Sequence, residues 1–333
     1  MKAVLCRPPA TPEELTFEDM PDLAAKPGTL VVDVHACAIG FPDVLMIQNL
    51  YQSKPPVPFS PGGEVAGIVR SVGSGVTGFA PGDTVIASTG WGGLAEQVRV
   101  APDSCVKLPD DADLVVAASL FTAYGTSHYA LKDRAHLAAG ETLLVLGASG
   151  GVGLAAVELG ALAGARVIAA ASTEEKLELC RQYGASATIN YDAEDLKERV
   201  RALTDGQGAD VVYDAVGGQY AEPALRAIAW EGRYLVIGFA TGHIPKIPLN
   251  LALLKGCSIV GVFWGSFVAR DRAAATAHLN ELLDLWRSGA LRPHVSATYP
   301  LEEAGAAIRA LADRKVAGRV VVTTDAAHPR PTR

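Results

Sequence analysis

The residues best suited to chemistry are Gly147-Ala148-Ser149-Gly150-Gly151-Val152-Gly153, a glycine-rich turn directly after the apolar run Leu143-Leu144-Val145-Leu146. Glycines let a backbone approach a phosphate closely. A helix starting at such a turn offers free N–H groups and the positive end of its dipole. With a strand before it and a helix after it, the turn reads as the pyrophosphate cradle of a dinucleotide. Its expected contacts are Ser149, Gly150, Gly151, Val152 and Gly153.

A site for an unphosphorylated adenosine ribose places an acid about 20 residues further on, at the end of the second strand. Here that strand ends Ala169-Ala170-Ala171 and continues Ser172-Thr173-Glu174-Glu175-Lys176. Ala171 leaves room for a 2′-phosphate, and the Ser172 hydroxyl and Lys176 ammonium can hold it through charge-assisted hydrogen bonds. This favours NADP(H). The competing reading keeps Lys176 as a solvated helix lysine and turns Glu174 or Glu175 inward onto the ribose hydroxyl.

These residues need a scaffold, and the pattern supplies one. From Glu141 onward, strand-like runs at 142–146, 166–171, 188–190, 210–214, 233–238 and 258–263 alternate with helical runs at 152–163, 174–183, 193–203 and 220–230. Such alternation means βαβ units, so the expectation is an α/β fold with a doubly wound, six-stranded parallel sheet. The first third differs. Short β-like runs at 30–36, 64–69 and 83–87, the last after the turn Pro81-Gly82, suggest a partly closed β-barrel. A helical stretch to about 288, an amphipathic run at 301–313 and a strand at 319–323 are expected to return to it. The expected domains are 1–120, completed by 265–333, and 121–264.

The bulk composition sets limits. At 333 residues the chain fits about two domains. A net charge of −7 with no basic run argues against a nucleic-acid partner. Cys6, Cys37, Cys105, Cys180 and Cys257 are scattered and form no CxxC pair, which points to free thiols in a reducing, cytoplasmic setting. The strand-like opening MKAVL leads to the expectation of no signal peptide. The most apolar stretch, 143–171, contains Glu158 and Arg166 and reads as strand, helix and strand, so no membrane span is expected. The tail after Asp325 is expected to fray.

The stretch from Gly140 to Gly153, together with Ala36-Cys37-Ala38-Ile39-Gly40-Phe41-Pro42-Asp43-Val44-Leu45, Pro61-Gly62-Gly63-Glu64-Val65-Ala66-Gly67 and Pro81-Gly82-Asp83-Thr84-Val85, resembles the medium-chain dehydrogenase/reductase superfamily. Within it the chain is similar to the zinc-free quinone oxidoreductase (zeta-crystallin-like) branch. Glu158, where the branch usually has Gln, is a departure. The resemblance covers nearly the whole chain and implies a GroES-like, partly open β-barrel catalytic domain beside the Rossmann domain. It also implies a small-molecule electron acceptor and a homodimer paired through the strand at 258–263.

Zinc enzymes of this superfamily take catalytic ligands from three segments. By alignment those positions are Gly40, Gly63 and a place near Thr122. Two glycines offer no donor, so a three-ligand zinc site is not expected. The structural zinc lobe needs four close cysteines, and only Cys105 falls in that region. His35 and Cys37 face one way on a strand, but two ligands are read as packing rather than as a metal site.

Other roles carry over by match. The resemblance implies that Thr126 lies near the nicotinamide carboxamide and that Tyr191 lines the 2′-phosphate pocket. It implies that Val216, Ile237, Gly238, Phe239, Phe263, Trp264 and Gly265 belong to loops bordering the cofactor. Arg319 matches a C-terminal basic residue near the cofactor; the alternative is a surface charge before a strand. Phe41, Asp43 and Tyr51 are placed in the substrate pocket, with Tyr51 either donating a proton or lining the channel. Gly40, where many relatives have Asn, and His128, where an aromatic is common, depart from the pattern. His128 is read as a packed or surface residue.

Without a Lewis acid, an acceptor of hydride must already be electron-poor. The expected activity is therefore NADPH-dependent, zinc-independent hydride transfer to a quinone. The alternatives are reduction of α,β-unsaturated carbonyls or enoyl thioesters, and an NADPH-binding protein with a structural role.

Overall fold

Runs of Val, Ile, Leu and Ala without charge become strands covered on both faces, and most of this chain's sheet residues are of that kind. The computed structural model describes residues 1–7 and 9–324, and the expected fraying of the tail lies outside them. In chain order come β1 (Lys2–Leu5), β2 (Thr16–Asp19), β3 (Leu30–Ile39), α1 (Phe41–Ile47), β4 (Glu64–Val72), β5 (Thr84–Ser88), β6 (Gln97–Val100), β7 (Cys105–Lys107), α2 (Leu114–Ala118) and α3 (Leu120–Tyr129). Then follow β8 (Thr142–Leu146), α4 (Gly151–Leu162), β9 (Arg166–Ala171), α5 (Glu174–Gln182), β10 (Ala187–Asn190), α6 (Leu196–Leu203), β11 (Ala209–Asp214), α7 (Ala221–Arg226) and β12 (Ile228–Val236). The last elements are α8 (Asn250–Lys255), β13 (Ser258–Gly261), α9 (Trp264–Arg270), α10 (Arg272–Arg287), β14 (Val295–Pro300), α11 (Ala304–Ala312) and β15 (Arg319–Thr323).

The chain divides into two units. The first comprises Met1–Thr122 and the segment from Pro293 onward, and the second is Ala123–Arg292. In the first, a seven-stranded sheet runs β14-β15-β3-β4-β5-β7, with β6 paired to β3. β15 lies antiparallel to β3, so the C-terminal strand completes the N-terminal sheet. Leu30, Val32, Val34, Ile39, Ile47, Leu94, Leu301 and Ile308 are among its core residues.

The second unit holds a six-stranded sheet in the order β10-β9-β8-β11-β12-β13, parallel at every pairing. This is the doubly wound order expected of two mononucleotide-binding halves. α4 (GVGLAAVELGAL) is buried along most of its length, as a helix apolar on every side must be.

Three boundaries differ from the sequence reading, each for a local reason. The helix expected at 220–230 stops at Arg226, because Ile228 pairs with Ala209 of β11 and extends β12 backwards. The helix expected from 193 starts at Leu196, where the Asp195 side chain accepts from Glu198 N at 2.9 Å and caps it. The third difference is larger. Residues 265–292, expected to join the first domain, belong to the second unit. Phe267 on α9 stacks on Tyr129 of α3 at 4.2 Å, and Glu281 on α10 receives Lys132 Nζ at 2.6 and 2.7 Å. These contacts hold α9 and α10 against α3.

Candidate cofactor and active site

In the second unit, β8 ends at Leu146 and Gly147 turns the chain with φ +67°. Gly150 caps α4 in extended backbone, and its N–H donates to Gly147 O at 3.0 Å. Gly153 sits so close to the turn that a Cβ there would lie 2.1 Å from Gly147 O. The cradle therefore has the shape that a dinucleotide pyrophosphate requires, with the N–H groups of the first α4 turn opening at its mouth. Ser149 is buried beside it.

Next along the sheet, Ala171 is buried at the end of β9. Lys176 Nζ lies 3.4 Å from Ser172 Oγ, and Tyr191 N donates to Ala171 O at 3.2 Å. The Tyr191 ring packs on Tyr220 at 4.3 Å. Ala171, Ser172, Lys176 and Tyr191 thus form one corner with a hydroxyl, an ammonium and no carboxylate at the strand end. Glu174 turns away to Arg181 at 2.6 Å, and Glu175 is exposed, so neither is turned in as the NAD reading needs.

The loops after β11 and β12 are organised by Asp214, whose role the sequence did not reveal. Its Oδ1 accepts from Val216 N and Gly217 N, each at 2.8 Å, and its Oδ2 accepts from Tyr234 OH at 2.5 Å. Its carbonyl takes Ile237 N at 2.9 Å and Gly238 N at 3.2 Å. Burial pushes the Asp214 carboxyl up, and these donors offset part of that rise. Val216 is thereby fixed to the carboxylate of Asp214, and Ile237 and Gly238 to its backbone carbonyl; Phe239 follows directly. Thr126 is buried on α3, where the neighbouring Ser127 donates to Val152 O at 2.8 Å and ties α3 to the start of α4. Trp264 packs against Gly125 so tightly that a Cβ at 125 would meet its ring at 2.6 Å, while Phe263 and Gly265 on either side are exposed.

In the first unit, Asp43 is buried near the start of α1. It accepts from Gly40 N at 2.8 Å and from Gly62 N at 2.9 Å, pinning the two loops to each other. Burial raises its carboxyl; the two backbone donors and Arg319 oppose the rise. Arg319, also buried, lies with its guanidinium against Glu64, while Glu64 Oε2 accepts from Thr122 N at 2.8 Å. Burial lowers the Arg319 guanidinium to about 10, against the raising effect of Asp43 and Cys37. Its Nε has no hydrogen-bond acceptor among the described residues. Arg319 is therefore buried, not the surface charge before a strand that is its alternative reading. Half-buried Tyr51 packs on the first core, its hydroxyl raised by burial and then by Asp43. Phe41 is half-buried at the first position of α1.

Replacing Asp43 by Asn would leave one carbonyl oxygen for two backbone donors. A buried unsatisfied donor costs about 1–3 kcal/mol. Urea unfolding of Asp43→Asn should show a loss of that size with an unchanged slope; no loss would mean the pinning is dispensable.

Residues 151–281 match the family described as zinc-binding dehydrogenase, and residues 26–110 match the alcohol dehydrogenase GroES-like domain. The chain is 41% identical over 296 residues to a quinone oxidoreductase-like protein 2 homolog of Nematostella vectensis, covering 88% of this chain and 81% of that one. It is 37% identical to quinone oxidoreductase-like protein 2 of Rattus norvegicus, covering 93% and 89%. The crystal structure of Escherichia coli quinone oxidoreductase complexed with NADPH superposes with a TM-score of 0.90 at 28% identity, over 97% of this chain and all of that one. The chain belongs to the quinone oxidoreductase family. It is an enzyme of the zeta-crystallin-like branch of the medium-chain dehydrogenase/reductases, with a GroES-like domain and a Rossmann domain.

The zinc-enzyme ligand positions of that superfamily do not fit a metal here. Gly40 and Gly63 have no side-chain donor. A Cβ at Gly40 would sit 3.9 Å from Arg319 Nη1, so a guanidinium flanks the first position. Among the described residues, no three His, Cys, Asp or Glu side chains are grouped to hold a metal ion. Glu64 and Arg319 are separated by hundreds of residues, and nothing local in the sequence marks them as partners.

Proposed function

We propose that this quinone oxidoreductase relative is an NADPH-dependent, zinc-independent reductase that transfers hydride to a quinone. The observation that carries the cofactor choice is the corner at the end of β9. There Lys176 reaches toward Ser172 beside Ala171, and the nearby Glu174 is turned to Arg181. A 2′-phosphate needs such a cation and hydroxyl, and a ribose hydroxyl needs the acid that is missing. The Escherichia coli relative complexed with NADPH supports the same reading.

The proposed cofactor residues are Ser149, Gly150, Gly151, Val152 and Gly153 at the pyrophosphate and Ser172, Lys176 and Tyr191 at the 2′-phosphate. Thr126, Val216, Ile237, Gly238, Phe239, Phe263, Trp264, Gly265 and Arg319 are proposed to contact the remainder. Bound NADPH would supply the hydride. The protein's tasks are to hold the acceptor, exclude water and place a proton. Phe41, Asp43 and Tyr51 are proposed to line the acceptor pocket. A Tyr51 hydroxyl whose affinity for its proton is raised by burial stays protonated at neutral pH, available to the nascent hydroquinone oxygen. Glycine at positions 40 and 63 supports zinc independence and therefore an electron-poor acceptor.

A second copy of the chain is the proposed partner. Among the described residues β13 pairs only with β12, leaving an open edge. Leu249, Leu253 and Leu254 around α8, with Ile259 and Phe263, are exposed nearby, Leu253 at 79% and Leu249 at 77%. Apolar surface of this kind is uncommon on a monomer. Ile259→Lys should turn a dimer into a monomer by light scattering; a wild-type monomer would contradict the pairing. No helix among the described residues is long and apolar enough to cross a membrane. The five free cysteines support a reducing, cytoplasmic setting.

Turnover of NADPH with 1,4-benzoquinone, 9,10-phenanthrenequinone and a short enone tests the reaction class. The quinones should react faster. A clear preference for the enone would move the assignment to enone reduction, and tight NADPH binding without turnover on any of them would leave a structural role.

A further inference from the structure

Tyr213 carries a buried hydroxyl that no step proposed above uses. On β11 it lies in register with Val145 of β8, the strand that leads into the glycine turn. Tyr213 and Ser127 of α3 are both fully buried, and their hydroxyl oxygens meet at 2.8 Å. Ser127 Oγ also lies 2.8 Å from Val152 O in the first turn of α4.

These contacts set the direction of both bonds. A carbonyl oxygen only accepts, so Ser127 gives its one hydrogen to Val152 O. The hydrogen between the two hydroxyls is then the one on Tyr213. Burial pushes the Tyr213 hydroxyl up, so the phenol keeps that proton at neutral pH. The result is a relay from the sheet through α3 to α4. A serine within a helix otherwise tends to turn its hydroxyl back to a carbonyl of its own preceding turn. The Tyr213 donor, fixed by the strand, holds the Ser127 oxygen in place and leaves its hydrogen aimed at Val152.

One turn earlier on α3, Tyr124 OH donates to Glu158 Oε2 at 2.6 Å. That tie reaches the later part of α4, away from the cradle. The Ser127 tie instead grips the first turn of α4, whose N–H groups open at the cradle mouth, and it does so from the residue after Thr126.

We propose that Tyr213 is a positioning residue for NADPH: by aiming the Ser127 hydroxyl at Val152, it sets the spacing between Thr126 on α3 and the phosphate cradle at the start of α4. This rests on the NADPH reading above, in which Thr126 contacts the nicotinamide end and the glycine turn holds the pyrophosphate. A cofactor gripped at both ends feels that spacing. A fragment gripped only at the adenosine end does not.

Titrations with NADPH and with 2′,5′-ADP, which has the 2′-phosphate but no nicotinamide, separate the two cases. Tyr213→Phe should weaken NADPH binding about three- to tenfold, the loss expected for one neutral hydrogen bond, and leave 2′,5′-ADP binding nearly unchanged. KM for NADPH should rise by a similar factor, with a much smaller change in kcat. Ser127→Ala should show the same split, and serves in its place if Tyr213→Phe fails to fold. In a Ser127→Ala background, Tyr213→Phe should cost no further NADPH affinity, because the relay is already cut. Equal losses for the two ligands, unchanged NADPH affinity in a folded variant, or additive losses in the double variant would overturn the proposal. Wild-type protein that does not bind NADPH would sink the cofactor reading and the positioning role together. Normal wild-type binding with a silent Tyr213→Phe would remove the positioning role alone.

Discussion

Gly153→Ala should weaken NADPH binding by roughly 10- to 1000-fold. The added Cβ would lie 2.1 Å from Gly147 O and 2.9 Å from Ala148 Cα, both backbone atoms that cannot swing aside as a side-chain tip can. The helix start must move away from the turn, and the N–H groups at the cradle mouth move with it. Losing one or two hydrogen bonds to a charged group costs about 1.5–3 kcal/mol each, and 1.4 kcal/mol is tenfold. Part of the strain will appear as lowered stability, so thermal unfolding belongs beside the binding titration. A stable Gly153→Ala protein with wild-type affinity would mean the pyrophosphate does not sit in this turn.

Lys176→Ala should raise KM for NADPH by about 10- to 100-fold and leave KM for NADH nearly unchanged. The basis is a charge-assisted contact worth about 1.5–3 kcal/mol to the 2′-phosphate, reduced by the half-exposure of the lysine. Ala171→Asp should act in the opposite sense. An acid at the end of β9 repels the phosphate and can accept from a ribose hydroxyl, so preference should shift toward NADH. Steady-state kinetics with both cofactors separates these effects. Equal changes for NADPH and NADH in Lys176→Ala would place the phosphate contact elsewhere.

How much of this was legible in the sequence depended on distance along the chain. The glycine turn, the small residue at 171 and the hydroxyl and ammonium after it lie within about thirty residues of each other, inside one βαβ unit. Their placement follows from local pattern, and the structure puts Ser172 and Lys176 beside Ala171; Tyr191, which entered through the family resemblance, reaches the same strand end by its N–H to Ala171 O. The six parallel strands were legible for the same reason, since each is an apolar run bounded by a helical one. The affiliation of residues 265–292 was not. An amphipathic helix announces an apolar face but not the surface that face will cover, and here the surface is α3. The buried polar pairs were the least legible. Glu64 finds Arg319 and His128 finds His278 across long sequence separations, and each residue alone resembles an ordinary surface group. Asp214 lay inside a recognised segment, yet its grip on Val216 and Gly217 is a matter of geometry.

The proposed zinc independence rests on Gly40 and Gly63, which carry no side-chain donor, and the proposed 2′-phosphate contact rests on Lys176. The most direct test of both is the initial rate of NADPH oxidation by 1,4-benzoquinone after exhaustive chelation, with metal content measured on the same sample. The expected result is full activity at negligible zinc, with NADPH strongly preferred over NADH. Activity lost to the chelator and restored by stoichiometric zinc would contradict it.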